Sequence, residues 1–310
     1  MTEPSNITVV GADGIVGRTL AAALGANRVI HGPSQGFPGE TPIASCQDLL
    51  QISRIVFNAQ GRRQSRGLSL ESFRATHVDA TRRLVEQLLP GTTLVHISSA
   101  AVLGRPAPLI YGRGPPAPAS FPLSDYAQVK HESEQLAIDM GRQRGLAVIV
   151  LRPAVVCATP LDGMLLTMVD WLRHGLLLDL HPAQARHHFC SGLLLGEIAR
   201  RVAARPCPRD KVTVFTVADP FTVTNQDLRE ALVRRWGQPR QRIPLPARNL
   251  ASVLQRLARV PGLGGRLSGM AQILGGIGMD VEYDVDETFT ELGIDKASFG
   301  REQTFERVLD

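Results

Sequence analysis

The sequence predicts an α/β fold: a doubly wound parallel sheet followed by a smaller C-terminal lobe. Two observations carry this prediction. Short β-branched runs alternate with helical stretches through the first half of the chain, and each run is continuously apolar, which is typical of strands covered on both faces. After Pro153 the order loosens, and a Gly- and Pro-rich segment covers 237–280. At 310 residues, 44% of them hydrophobic, the chain is long enough to bury a large core and to divide into two lobes.

The predicted elements of the first half follow one another in strand-helix order. The run NITVV leads into a helix from Ile15 to Leu24, and NRVIHG and SRIVFNAQ are the next two strands. Helical periodicity extends from Ser69 to Leu89, and TTLVHISS and LAVIVLRP are further strands. Such alternation favours right-handed crossovers and a parallel sheet with helices on both faces.

The second half has fewer strands and a less regular order. Helical stretches near 162–175 and 192–204 precede the strand KVTVFTVAD, and another helix begins after TVTNQD. We expect that strand to return to the first sheet. The predicted sheet domain therefore consists of 1–157 and 211–218, and the predicted second lobe of 158–210 and 219–310.

Composition and charge exclude some classes of protein. The net charge of +5 comes from short arginine clusters such as GRRQSRG, without the interleaved aromatics or recognition helix of nucleic-acid-binding proteins. These clusters are typical of solvated faces, although an anion site for a phosphate-bearing molecule stays open. The first residues lack the pattern of a secretory signal, and no apolar run is long enough to span a bilayer. We expect a cytoplasmic protein with no membrane or nucleic-acid partner.

The cysteines do not predict a metal site or a disulfide framework. They are far apart and lack the paired spacing of metal ligands. We expect buried or reduced thiols at all four positions: Cys46, Cys157, Cys190 and Cys207.

The first motif with chemical meaning is VVGADGIVGRTLAAAL. Its glycines follow a strand and open a helix, where they permit positive φ and let a diphosphate approach the helix N-terminus. A glycine trio alone is also compatible with a plain tight turn, but its position in the first strand-turn-helix unit favours dinucleotide binding. We predict cofactor contacts from this turn and from the ends of later strands, at Gly11, Asp13, Gly14, Ile15, Val16, Gly17, His31, Ser34, Ala59 and Pro153.

The region twenty residues after the first glycine bears on the choice of cofactor. An acidic side chain there would bind the ribose hydroxyls of NAD, but the sequence has His31 and no Asp or Glu until Glu40. Arg18, His31 and Ser34 are available to contact a 2′-phosphate. The sequence therefore favours NADP(H) over NAD(H).

Two further motifs place polar side chains near the predicted cofactor. LVHISSAAVLG is a buried strand that ends in Ser98 and Ser99, at the edge where open α/β sheets bind ligands, although serines there can simply cap a turn. SDYAQVK places Tyr126 and Lys130 four residues apart, hence on one face of a helix. A packed tyrosine beside a solvated lysine is the alternative interpretation of that pair.

Taken in order, the glycine turn, the strand-end serine and Tyr-x-x-x-Lys resemble the extended short-chain dehydrogenase/reductase family, which includes sugar-nucleotide epimerases, dehydratases and ketoreductases. SSAAVLG is similar to the family's Ser-Ser-x-x-Val-Tyr-Gly block, and YAQVKHESEQLA is particularly similar to 4-ketoreductases of nucleotide-linked deoxysugars. The resemblance implies that Ser99, Tyr126 and Lys130 are catalytic. It also implies that Tyr126 and Lys130 contact the cofactor, with Lys130 on the nicotinamide ribose.

The chain departs from the family pattern at several positions. Leu103 stands where a tyrosine is usual, and His77 in HVDAT replaces an Asn that supports a proton relay or a helix bend. RHHFCSGLLLGEIA lacks the usual acidic pair. The residues diagnostic of fucose synthases and 4,6-dehydratases are absent at Ser98 to Ala100, so those two activities are not expected.

The residue types predict a hydride transfer to a carbonyl. Tyr126 would donate the proton, Ser99 would hold the carbonyl oxygen, and the Lys130 ammonium would favour the phenolate and so ease proton transfer. The Pro- and Gly-rich segment between Ser99 and Tyr126 suits a specificity loop, with Tyr111, Arg113 and Phe121 as candidate contacts. His187 and His188 align with a segment near the diphosphate in sugar-nucleotide enzymes, or form a surface turn.

The leading expectation is an NAD(P)H-dependent ketoreductase of a nucleotide-linked deoxysugar or another small natural-product ketone. A sugar-nucleotide epimerase with tightly bound NAD is an alternative, since it would use the same residues. A non-catalytic dinucleotide-sensing protein is the third, although such proteins usually lack the Tyr/Lys pair. The expected partner is a small molecule such as a nucleotide sugar, and a homodimer is compatible with the sequence.

Overall fold

Six parallel strands form the central sheet of the protein. The structure is a computed structural model that describes residues 6–26, 28–30, 47–62, 70–104, 125–161, 163–205, 211–257, 267, 271 and 274–307. Neighbouring strands pair in parallel throughout, in the order β2-β1-β3-β4-β5-β9, which confirms the predicted α/β class. The strands are β1 (Ile7–Val10), β2 (Arg28–Ile30), β3 (Ile55–Asn58), β4 (Thr93–Ile97), β5 (Ala147–Pro153) and β9 (Val212–Val217).

Helices cover both faces of this sheet. Adjacent residues of β1 belong to different cores: Val9 packs in the cluster that contains Leu20 and Leu194, whereas Val10 packs in the cluster that contains Leu84. Successive side chains of a strand point to opposite faces, so a strand buried on both sides has to be continuously apolar. The helices are α1 (Ile15–Leu24), α2 (Gln47–Gln51), α3 (Leu70–Arg74), α4 (Ala80–Gln87), α5 (Asp125–Gln143) and α7 (Gly192–Ala204).

The helix predicted for Ser69 to Leu89 is interrupted in the structure. A π-helical turn, Ala75–Asp79, separates α3 from α4. The carbonyl oxygen of His77 in this turn accepts hydrogen bonds from the Ala80 backbone and from the Ser133 hydroxyl at 3.1 Å. Because the His77 carbonyl also accepts from the Ser133 hydroxyl, the wider π-helical turn is stabilised. This turn directs the His77 side chain inward, where it is 2% exposed.

Two smaller sheets and a third core follow the central sheet. β6 (Val155–Cys157) pairs with β8 (Arg186–Ser191), which pairs antiparallel with β10 (Thr222–Thr224). β7 (Leu176–His181) pairs in parallel with β11 (Gln241–Pro246), a strand inside the segment whose Gly and Pro content suggested irregular structure. Its prolines are tolerated because, within the described part of the chain, β11 pairs only with β7. The remaining helices are α6 (Gly163–Arg173), α8 (Asn225–Trp236), α9 (Ala247–Leu257) and α10 (Asp286–Leu292).

For the described residues, the structure bears on the predictions about membrane segments and cysteines. Among them, no helix combines the length and the apolar character that crossing a bilayer requires. Cys157 and Cys190 are free and buried, and burial raises the pKa of the Cys157 thiol to about 12, so it is protonated at neutral pH. Cys46 and Cys207 lie outside the described residues.

Candidate functional site

The glycine turn between β1 and α1 is closed by close backbone contacts. Gly11 has φ +83°, and its N–H donates to the Ile30 carbonyl at 2.7 Å. A Cβ atom on Gly11 would lie 2.8 Å from the backbone of Ala59, and one on Gly17 would lie 2.1 Å from the carbonyl oxygen of Gly11. Only glycine fits these two positions, so the turn can bring a backbone edge against a bound diphosphate.

The N-terminus of α1 is open to an anion. Gly14 is the N-cap and has no side chain to occupy the first N–H groups of the helix, which lack helical acceptors and carry the positive end of the helix dipole. Asp13 and Gly14 are exposed, and Ile15 and Val16 are partly exposed. The arrangement suits the diphosphate of a dinucleotide. His31 and Ser34 lie outside the described residues.

The turn after β3 lies directly beside the glycine turn. β1 has β2 on one side and β3 on the other, so chain connections diverge here and open the crevice in which doubly wound sheets bind ligands. The Ala59 N–H donates to the Val10 carbonyl at 2.9 Å. Residues 59–62, which we call the β3 turn, therefore form one wall of this crevice.

Three buried polar atoms around this crevice have no hydrogen-bond partner among the described residues. Oε1 of Gln60 and Oγ of Ser98 follow β3 and β4, and Nδ1 of His77 lies in the π-helical turn. An unsatisfied buried polar atom costs about 1–3 kcal/mol unless a ligand or water satisfies it. These atoms therefore fit a polar group such as the nicotinamide nucleoside of a dinucleotide.

Ser99 and Tyr126 meet at the end of β4. The Ser99 hydroxyl accepts a hydrogen bond from the Ala101 N–H at 3.2 Å, which caps a short 3-10 turn, Ala100–Leu103. The same hydroxyl faces the Tyr126 phenol and lowers the pKa of that phenol. The structure therefore shows the capping role of the strand-end serine, whereas its role towards a ligand stays a prediction.

Lys130 lies one turn beyond Tyr126 on α5, as the spacing predicts. Its side chain is buried, and Nζ donates to the Ile97 carbonyl at 2.8 Å. Burial lowers the pKa of Lys130 to about 8, although the Glu134 carboxylate acts in the opposite direction. The alternative of a lysine in solvent is wrong.

The pKa of Tyr126 is raised, whereas the sequence predicts that the Lys130 ammonium favours the phenolate. Burial raises the pKa of Tyr126, and the hydrogen bond with Ser99 lowers it by less. Lys130 is held by the Ile97 carbonyl instead of the phenol. Tyr126 is therefore protonated at neutral pH, which is the form that donates a proton.

An ion pair beneath Lys130 escaped the sequence analysis. Arg152 at the end of β5 donates to Glu134 of α5 through two nitrogens, with Nε to Oε2 at 3.1 Å, and both side chains are fully buried. The spacing of Glu134, one helical turn after Lys130, is a signal that could have identified it.

A second missed feature is a buried polar network between the sheet and α5. Asn58 donates to the Thr81 hydroxyl at 3.1 Å and lies 3.3 Å from Nδ1 of His96. Ser133 lies 3.0 Å from the Thr81 hydroxyl and 3.4 Å from Nε2 of His96. Burial lowers the pKa of His96 well below its ordinary value, so the imidazole is neutral.

Other candidate residues lie elsewhere. Pro153 ends β5, and Leu103 is in the hydrophobic core. His187 and His188 are on β8, which excludes the surface turn: Nε2 of His187 bonds Asn225 at 2.8 Å, and His188 is buried. Tyr111, Arg113 and Phe121 lie outside the described residues.

A doubly wound parallel sheet, with a glycine turn at the point where its strand order diverges, defines the class of dinucleotide-binding α/β proteins. Comparison with known proteins gives the particular family. Residues 7–170 match the NAD dependent epimerase/dehydratase family, and the chain belongs to it. It is accordingly an enzyme of the NAD(P)-dependent oxidoreductase type.

A curated relative and two solved structures are similar to this chain. The relative is the hybrid PKS-NRPS synthetase gkaA of Penicillium citrinum, 30% identical over 165 residues that make up 50% of this chain. The chain spans only 4% of that synthetase. UDP-glucuronic acid 4-epimerase from Bacillus cereus, in complex with UDP-glucuronic acid and NAD, has TM-score 0.72 at 15% identity and 98% coverage of both chains. The terminal R domain of the myxalamid PKS-NRPS pathway has TM-score 0.64 at 20% identity, with 93% of this chain and 84% of that domain covered.

Proposed function

We propose that this enzyme is an NAD(P)H-dependent ketoreductase that reduces a carbonyl of a nucleotide-linked deoxysugar or another small natural-product ketone. The observation that carries the proposal is the placement of the strand-end Ser99 beside the protonated Tyr126, one helical turn from the buried Lys130. This set supplies an oriented hydroxyl, a proton donor and a cation at the ligand-binding edge of the sheet.

The proposed mechanism assigns one task to each side chain. A bound nicotinamide dinucleotide supplies the hydride, and the glycine turn and β3 turn would hold it, with Tyr126 and Lys130 on the nicotinamide side. Ser99 donates a hydrogen bond to the carbonyl oxygen, and Tyr126 gives that oxygen its proton as negative charge develops. Lys130 stays mostly protonated at pH 7, since its pKa is about 8, and its charge stabilises the same oxygen.

The substrate would lie between the sheet domain and the second lobe. We propose 1–157 with 211–218 as the dinucleotide-binding domain and 158–210 with 219–310 as the substrate-binding lobe. The similar epimerase structure holds UDP-glucuronic acid, and the similar R domain comes from a polyketide-peptide pathway. These similarities support the two substrate classes, namely nucleotide sugars and natural-product carbonyl compounds.

The proposed cofactor preference is NADPH over NADH. It rests on the missing carboxylate near His31 and on the exposed Arg18 beside the glycine turn. Calorimetric titration of the purified protein with each cofactor tests it. Equal affinity, or tighter binding of NADH, would show the preference to be wrong.

The activity is tested by mixing the protein and reduced cofactor with nucleotide 4-ketosugars and small ketones. A ketoreductase consumes reduced nicotinamide in proportion to alcohol formed, as absorbance and mass spectrometry show. Isomerisation of a nucleotide sugar without net change in cofactor would instead identify an epimerase. Cofactor binding without turnover of any substrate would favour a dinucleotide sensor, and Tyr126→Phe serves as the control for catalysis.

A further inference from the structure

His77 lies between the cofactor side and the proton-donor side of the site. Its Nε2 atom is 2.9 Å from the Arg62 carbonyl oxygen and 3.2 Å from the Arg62 backbone nitrogen. Both contacts are to the β3 turn, fifteen residues earlier in the chain. The imidazole is therefore attached to the backbone of the crevice wall.

Gly61 shows how closely this attachment is made. Its φ is +135°, and a Cβ atom there would lie 2.1 Å from Cε1 of His77. The ring thus occupies the space that a side chain at residue 61 would need. The other end of the β3 turn packs on the cofactor side, because a Cβ on Gly11 would lie 2.8 Å from Ala59 and from the nitrogen of Gln60.

The opposite side of the imidazole packs against the proton donor. His77 and Tyr126 are in an edge contact with ring centroids 6.0 Å apart, and Phe73 completes a group of three rings, 6.3 Å from His77 and 6.4 Å from Tyr126. Continuous contacts therefore connect Gly11, the β3 turn, His77 and Tyr126.

The electrostatic state of the ring suits this position. Burial lowers the pKa of His77 to about 3, and the nearby Lys130 charge lowers it further, against the raising effect of the Arg62 carbonyl. A neutral imidazole adds no second cation beside Lys130.

We propose that His77 is a positioning residue that fastens the β3 turn to Tyr126, so that the cofactor and the proton donor are held in one fixed arrangement. The inference rests on the proposed function in two respects: it takes the β3 turn to line the cofactor site and Tyr126 to be the proton donor. The role differs from that expected of the family's Asn, because here the side chain contacts the turn while the backbone carbonyl accepts from Ser133.

Two substitutions separate the hydrogen bond from the ring contact. His77→Phe keeps an aromatic ring against Tyr126 but loses the bond to Arg62, whereas His77→Gln keeps a polar group for Arg62 but loses the ring. Arg74→Ala is the matched control, since Arg74 lies one turn earlier and its bidentate ion pair with Glu132 is at the surface, where ion pairs typically contribute little to stability. The readouts are amide hydrogen exchange of 59–62 in cofactor-free protein, NADPH affinity by calorimetry, and kcat.

We expect His77→Phe to speed exchange at 59–62 and to weaken NADPH binding about tenfold, the loss typical of one buried hydrogen bond. His77→Gln should keep near wild-type exchange and affinity but lower kcat about tenfold, because Tyr126 loses its contact. Arg74→Ala should match the wild type in all three readouts.

Wild-type exchange and affinity in His77→Phe would overturn the proposal. If that variant does not fold by circular dichroism, His77→Gln decides: exchange as fast as in His77→Ala would show that the bond to Arg62 does not hold the turn. The exchange arm needs neither cofactor nor substrate. Failure of the wild type to reduce any carbonyl would therefore count against the proposed function alone.

Discussion

Two buried histidines, His188 on β8 and His77 beside the crevice, are neutral for the same reason but differ in their hydrogen bonds. Burial lowers the pKa of both. In His188, Nε2 donates to the Asp219 carbonyl at 2.6 Å and Nδ1 accepts from the Tyr283 N–H at 3.0 Å. In His77, Nε2 lies within hydrogen-bond distance of the Arg62 backbone, whereas Nδ1 is buried and has no partner among the described residues.

The buried polar groups around each histidine show the same difference in hydrogen bonding as the histidine itself. Around His188, the Asp219 carboxylate accepts from the Ser191 hydroxyl at 2.7 Å and from the Ser191 N–H. We call this group, residues 188, 191, 219 and 283, the lobe node. Around the crevice, Ser98 and Gln60 each keep an unsatisfied buried oxygen. Complete satisfaction indicates a structural role, whereas unsatisfied atoms grouped at one sheet edge indicate a place for a ligand.

Among the tests of this contrast between the crevice and the lobe node, substitution of Tyr126 should have the largest effect. Tyr126→Phe removes the proton donor and should lower kcat about 10²–10⁴-fold, while cofactor affinity stays nearly intact, because the proton is needed only as charge builds on the substrate oxygen. Lys130→Met should weaken both turnover and cofactor binding. Steady-state kinetics with calorimetry measures these effects, and near-normal turnover by the Phe variant would remove Tyr126 from its proposed role.

The next effect is the pH dependence of the crevice. In the cofactor-free protein, Lys130 has a pKa of about 8. The proposed mechanism uses its charged form, so kcat/KM should fall above pH 8. The expected slope is tenfold per pH unit, or ~100-fold by pH 10. Initial rates in a buffer series measure it. A flat profile from pH 7 to pH 10 would show that the ammonium is dispensable.

The lobe node should show its own pH dependence, in stability. Burial raises the pKa of Asp219 to about 6, against hydrogen bonds from Ser191 that lower it. Asp219 therefore binds more protons in the folded protein than in the unfolded chain between pH 4 and 6, and its contribution to stability falls as pH rises through that window. Asp219→Asn has no titrating carboxyl at this position. Its free energy of unfolding relative to wild type should therefore rise by at most about 3 kcal/mol between pH 4 and pH 7. Urea unfolding at each pH measures the difference, and a constant difference would contradict the shifted carboxyl.

The smallest effects compare one serine from each region. Ser191→Ala removes the hydroxyl that caps α7 at Leu194 and donates to Asp219, and should cost about 1–3 kcal/mol of unfolding free energy. Ser98→Ala removes an unsatisfied hydroxyl, so cofactor-free stability should stay equal or rise by up to ~1 kcal/mol. Equal losses of unfolding free energy in the two variants would show that the two regions do not differ in how completely their buried polar groups are hydrogen-bonded.

The sequence predicts the central sheet and the order of the motifs well, because continuous apolar runs and glycine turns are set by neighbouring residues. It does not predict the π-helical turn at His77, which depends on Ser133 from another helix. Nor does it predict the Tyr126 pKa, since this depends on which acceptor takes the Lys130 ammonium. β11 was missed because its prolines oppose strand structure locally, while its partner β7 is far away in sequence.

The ion pair between Arg152 and Glu134 has a consequence for how this enzyme could diverge. Tyr126, Lys130 and Glu134 follow one another at intervals of four residues, along one stripe of α5. Because Glu134 is attached to β5 through two hydrogen bonds, α5 can neither rotate about its axis nor slide along it without breaking a buried pair, which typically costs about 3–5 kcal/mol. The orientation of Tyr126 and Lys130 is thereby set from the interior of the sheet, and the surfaces that would meet the proposed substrate are free to mutate.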